Sequence, residues 1–150
     1  MRSAALTLLL LSGCVAADEV EPLPLGGGLA LFAEQAQPVF AARCANPSCH
    51  GSAERPLSLF APHRYRQDPD RVYVDEPLTE DELRHNFLQT AAFTSSCTDA
   101  SQCLLLTKPL AVEAGGSGHA NIEIFMDTSD YDYQRLSSWV ERALADGQRP

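Results

Sequence analysis

Apolar residues recur most regularly near the end of the chain. Tyr133, Leu136, Val140, Ala143 and Leu144 fall on one helical stripe, with Trp139 beside it. Ser129, with Asp132 three positions on, is the expected N-cap. The acidic residues there suit the helix dipole, and Gly147 fits a C-terminal cap. A second helix is predicted from about Glu80 to Ala92. Thr79 and Glu82 make a capping box, and Leu83, Phe87 and Ala91 follow at helical spacing. Leu29 to Arg43 reads as a third helix in two pieces, because Pro38 starts or kinks a helix rather than sitting inside one. Its Leu31, Phe32, Val39 and Phe40 face a core.

Between residues 51 and 77 the periodicity stops. Pro56, Pro62, Pro69 and Pro77, with many charges, mark an irregular wrapping segment. Leu57, Leu59 and Phe60 are available to cover an apolar surface, and Tyr65, Tyr73 and Val74 form a short extended stretch. Loops this long are usually functional or disordered. Three helices, long irregular connections and no convincing strand pair make the expected class all-α.

Length adds one bound: 150 residues make one modest domain. With 45% hydrophobic and 21% charged residues, the composition is that of a globular protein. A formal net charge of −9 excludes a nucleic-acid-binding face and suits docking to a basic protein partner.

The five cysteines, at positions 14, 44, 49, 97 and 103, divide into one near the start and two close pairs. That pattern fits an exported chain. Met1-Arg2 followed by the apolar run Ala4 to Leu11 reads as a signal peptide, too short to span a bilayer. Its close, Leu11-Ser12-Gly13-Cys14, resembles the lipobox of bacterial lipoproteins, in which the cysteine is lipidated. An ordinary leader cleaved near Ala16-Ala17 is the alternative. The organisation expected is a lipoprotein signal peptide over 1–13, a flexible Pro- and Gly-rich tether over 14–28 and one domain over 29–147. Cys97 and Cys103 lie in a polar loop and are expected to form a local disulfide, contributing about 2 kcal/mol.

The chemistry concentrates in Arg43-Cys44-Ala45-Asn46-Pro47-Ser48-Cys49-His50-Gly51. Two cysteines followed at once by a histidine read as a c-type haem attachment site. Two thiols add to two vinyl groups, and the adjacent imidazole reaches the iron. The usual spacing leaves two residues between the cysteines; here there are four, so the loop must bulge outward, and Pro47 suits a bulge. The competing reading is a Cys44–Cys49 disulfide with His50 on the surface.

The order of these pieces resembles the cytochrome c-like domains of planctomycete and myxobacterial exported proteins. The matching pieces are Pro38-Val39-Phe40 through Gly51, Leu104 to His119, and Tyr133 to Val140. Two departures are the long spacing and Ala120-Asn121, where the family often has further glycines. The resemblance implies a small all-α fold with N- and C-terminal helices packed together. It also implies Cys44 and Cys49 as thioether sites and His50 as the proximal iron ligand.

A second axial ligand is usually His or Met. His119, among glycines, is the preferred candidate and Met126 the alternative. A shared iron puts the two histidine nitrogens roughly 4 Å apart, twice a typical metal–imidazole bond. His63 and His85 have no comparable setting, and His85 is expected to be solvated.

The expected function is therefore a lipid-anchored carrier in the bacterial cell envelope, periplasmic or at the outer membrane. It holds one covalent haem c and passes single electrons to a redox partner protein, with no enzymatic turnover. The alternatives are a haemless disulfide-stapled lipoprotein acting as a binding or structural module, and a zinc site of Cys44, Cys49, His50 and His119.

Overall fold

The structure, a computed structural model, describes residues 26–94, 97–120 and 122–145. The residues read as a signal peptide, the lipidation expected at Cys14, most of the expected tether and the expected Gly147 cap lie outside the described residues.

The first helical run, α1, spans residues 26–44 and starts inside the stretch read as tether. It is continuous rather than broken. An α-helix, Gly26–Leu31, widens to a π-turn at Phe32–Ala36, returns to α over Gln37–Val39 and widens again at Phe40–Cys44. Pro38 explains the first widening. It has no N–H for the Glu34 carbonyl four residues back, and its ring crowds that carbonyl. The freed oxygen is taken by Arg135, whose Nη2 donates to Glu34 O at 2.9 Å. At the other end Arg64 Nη1 donates to the Ala41 carbonyl at 2.7 Å, satisfying an acceptor that the helix end leaves open.

Helix α2, Glu80–Thr94, carries the expected capping box. Glu82 N donates to Thr79 Oγ1 at 3.2 Å, and Thr79 N donates to Glu82 Oε2 at 2.8 Å. A short helix α3, Leu104–Thr107, follows the Cys97–Cys103 disulfide, which is formed as the spacing implied. Helix α4, Tyr131–Ala145, is capped by Asp130 rather than Ser129. Asp132 N and Tyr133 N donate to Asp130 Oδ1 at 2.8 and 3.2 Å. Ser129 is unavailable because its N–H and hydroxyl both donate to Asp127 Oδ1.

The core sits where α1, α2 and α4 meet. Phe32 packs against Phe40, Phe87 and Trp139 with ring centroids 5.9, 5.5 and 5.4 Å apart. Trp139, expected beside the apolar stripe, is among the most buried side chains. Leu31, expected in the core, is only partly buried against it. The described residues form no β-ladder, only isolated bridges at Ala61–Tyr65 and Leu110–Phe125. The extended stretch expected at Tyr73-Val74 is instead preceded by a 3-10 turn, Pro69–Tyr73, and Tyr73 is exposed. The architecture is all-helical at the level of class.

Two polar clamps order the wrapping segment. Asn86 on α2 receives Phe60 N on Oδ1 at 2.8 Å, and its Nδ2 donates to Phe60 O at 2.8 Å and Gln37 Oε1 at 2.9 Å. Arg66 and Glu82 form a bidentate ion pair, both contacts at 2.9 Å, with both side chains buried. Arg66 also donates to the Glu76 and Pro77 carbonyls. Burial alone pushes the Glu82 carboxyl up. The Arg66 hydrogen bonds and the Thr79 and Gln67 amides outweigh it, leaving the group lowered to about 2.

Candidate functional site: facing histidines in an apolar slot

Helix α1 ends at Cys44, and the next seven residues fold back on it. Asn46 N and His50 N both donate to Cys44 O, at 2.9 and 3.2 Å. Cys49 N and Gly51 N donate to Asn46 O at 2.8 and 2.9 Å, and the Asn46 side chain accepts from Ser48 N at 3.0 Å. Asn46, Pro47 and Ser48 are exposed, so the surplus residues of the long spacing project outward. Gly51 is required by space: a Cβ there would lie 2.6 Å from Ala45 O.

The loop leaves His50 with its ring turned inward. Its Nδ1 lies 2.9 Å from the Leu57 carbonyl. A carbonyl can only accept, so Nδ1 carries the hydrogen and Nε2 presents a lone pair. Facing it is His119, with the two Nε2 atoms 3.4 Å apart and the rings within 16° of parallel. The hydrogen between them then belongs to His119 Nε2. His119 Nδ1 is buried and has no hydrogen-bond partner among the described residues. Burial, and then the neighbouring His50 and Lys108, hold the His119 imidazole below its usual range, so it is neutral.

The pair stands in a slot of about 240 Å³ whose walls include Phe40, Leu57, Phe93, Leu105, Ile124 and Leu136. Cys44 and Cys49 line the same slot as unbonded thiols. Burial drives the Cys44 thiol up to about 12, against the opposing pull of Arg43, so it is protonated at neutral pH. Arg43 and Lys108 lie at the rim. Arg43 is paired with Asp130 and Asp132 at 2.6 and 3.2 Å, while Lys108 Nζ reaches Gly118 O at 3.4 Å. The loop bearing His119 is tied down by Ser117 N donating to Thr107 O at 2.8 Å. It passes so close to Leu110 that Gly116 has no room for a Cβ.

The structure thus brings Cys44, Cys49, His50 and His119 to one slot. Met126, the alternative distal residue, is exposed and lies outside the slot wall. His63 is on the surface beside Asp75. His85, expected in solvent, is half-buried: its Nε2 lies 3.0 Å from Ser58 O and its ring 4.7 Å from Phe60.

One expectation is overturned. Among the described residues no group of three or more His, Cys, Asp or Glu side chains could hold a metal ion. The expected metal binding is therefore not supported among the described residues, neither for zinc nor for iron held by protein donors alone. Nor does this finding lend anything to haem or to electron transfer. Burial also opposes loss of the Cys44 proton, which a zinc thiolate would require.

Two groups that set the site escape the sequence pattern. The Leu57 carbonyl that orients His50 belongs to the backbone, and Asn86, which clamps the segment carrying Leu57, reads as an ordinary polar helix position. No protein-family model, curated protein or solved structure matches the chain.

Proposed function

We propose that this chain is a small c-type cytochrome-like carrier that binds one covalent haem and passes single electrons to a partner protein. The observation that carries the reading is the pair of facing imidazoles, 3.4 Å apart between Nε2 atoms, in an apolar slot that also holds two unbonded cysteines. A macrocycle supplies four of the iron's ligands itself, so it needs one or two protein nitrogens where a bare ion needs three or more side chains. The residues present fit such a group. His50 offers a lone pair fixed by the Leu57 carbonyl, the walls are apolar, and the cysteines flank the first histidine. The nitrogens stand somewhat closer than the roughly 4 Å of two metal–imidazole bonds, so the walls must part slightly to admit the cofactor.

When bound, the cofactor supplies a one-electron change at its iron. The chain's own part is positional. Cys44 and Cys49 would tether it, His50 and His119 would offer it their Nε2 atoms, and Phe40, Leu105 and Leu136 would keep water from it. Two imidazoles favour ferric iron more than an imidazole and a thioether do, so the potential is expected below that of a His/Met site. No acid–base pair is aimed at a substrate-sized space here, and we read the chain as a carrier rather than an enzyme. A lipid on Cys14 would hold it at a bacterial envelope membrane, and the acidic surface would meet a basic redox partner. The haemless stapled module is less favoured, because among the described residues only Cys97–Cys103 is bonded.

The test is expression in a host with cytochrome c maturation. A red protein whose colour survives acid–acetone extraction is expected. A colourless protein, under conditions where a control cytochrome is loaded, overturns the reading.

A further inference from the structure

The two histidines of the slot are not equivalent. His50 is anchored on its far side by the Leu57 carbonyl, 2.9 Å from Nδ1, and by Leu59 N donating to His50 O at 2.8 Å. His119 has no such anchor among the described residues, where its Nδ1 is buried and unpartnered. To offer Nε2 as a ligand, His119 must shift its hydrogen to Nδ1, where no acceptor waits. A buried donor left unmade costs on the order of 1–3 kcal/mol. An imidazole lacking that outer hydrogen bond is also the weaker base.

The backbone tells the same story. Gly115, Gly118 and Ala120 all adopt left-handed φ, at 95°, 82° and 50°, so the loop changes direction around His119. An open groove lined by Val112, Gly118, Ala120, Ile122 and Met126 also borders His119. A departing imidazole has somewhere to go.

We propose that His119 is a releasable ligand, and that the face it vacates binds a small uncharged diatomic of the carbon monoxide or nitric oxide class. The inference rests on the haem reading above. The exchange is a ligand substitution: the His119 nitrogen leaves, the diatomic takes its place, and no electron or proton is transferred. The apolar wall of Phe93, Leu105 and Ile124 suits a ligand that needs no hydrogen-bond donor.

The test uses carbon monoxide on the reduced, haem-loaded full chain, followed by absorbance, with nitrogen NMR of the haem-free protein as a second readout. Wild type is expected to bind CO at a rate that saturates with CO concentration, because ring departure becomes limiting. In the haem-loaded fraction of H119A, CO is expected to bind roughly tenfold faster or more, with a rate linear in CO, since the cost of vacating the site is gone. In the haem-free protein His50 should be the Nδ1–H tautomer and His119 the Nε2–H tautomer. A red protein that ignores saturating CO, or an H119A rate equal to wild type, overturns the proposal while sparing the carrier reading. So does an Nδ1–H tautomer at His119 without haem. A colourless protein ends both.

Discussion

Replacing Glu82 by Gln removes one negative charge from a place that water does not reach. The Arg66 and Glu82 side chains are 0% and 1% exposed, so the guanidinium would be left buried without a counter-charge. Breaking one half of such a pair costs about 3–5 kcal/mol. An independent route gives a similar figure. The Glu82 carboxyl falls from 4.5 to about 2 on folding, a difference worth about 3 kcal/mol. The assay is urea unfolding followed by the fluorescence of Trp139, the single tryptophan, which is buried in the core. With slopes of about 1–3 kcal/mol/M, the midpoint of E82Q should fall by roughly 1–5 M. The sign of the pH effect follows from the direction of the shift. A folded value below the unfolded one stabilises fully above about 4.5, and that contribution fades as pH drops from there to about 2. Wild type should therefore lose stability across that window, and E82Q should lack this component. A loss below about 1 kcal/mol in E82Q, or an unchanged acid profile, would refute the reasoning.

G51A should lower both thermal stability and haem incorporation, because a Cβ 2.6 Å from Ala45 O forces the Cys44-to-His50 loop open; melting temperature and haem stain measure the two effects. N86A strands the Phe60 amide and the Gln37 side chain, so a cost of about 1–3 kcal/mol is expected in urea unfolding, with no change in the Cys97–Cys103 bond. C97S/C103S should lower stability by about 2 kcal/mol while leaving haem attachment intact, since that staple joins α2 to α3 and supplies nothing to the slot. Equal haem loss in this variant and in a Cys44 variant would contradict that separation.

What could be read in advance is what depends on near neighbours. The Thr79/Glu82 box, the Leu136–Val140 stripe and the six-residue disulfide loop each follow from local spacing, and each is present. The identity of the α4 cap was not legible, because Ser129 and Asp130 are both good caps and the choice turns on Asp127 capturing Ser129 first. Pro38 predicted a break, whereas a distant arginine, Arg135, makes the widened turn tolerable. The Arg66–Glu82 pair joins residues 16 apart across an irregular segment, and no periodicity announces it. At the site, the residue types of Cys44, Cys49, His50 and His119 were legible, and so was the facing of the two imidazoles. Which nitrogen of each ring is anchored was not, because a backbone carbonyl decides it for His50 and the lack of any partner decides it for His119.

The most direct measurement on the central claim is the mass of the peptide spanning Cys44 to His50, taken from chain expressed with cytochrome c maturation and digested without reduction. The account predicts that this peptide carries one haem, attached through both sulfurs, and that neither thiol is left to alkylate. A bare peptide, with Cys44 and Cys49 either free or bonded to each other, would contradict it.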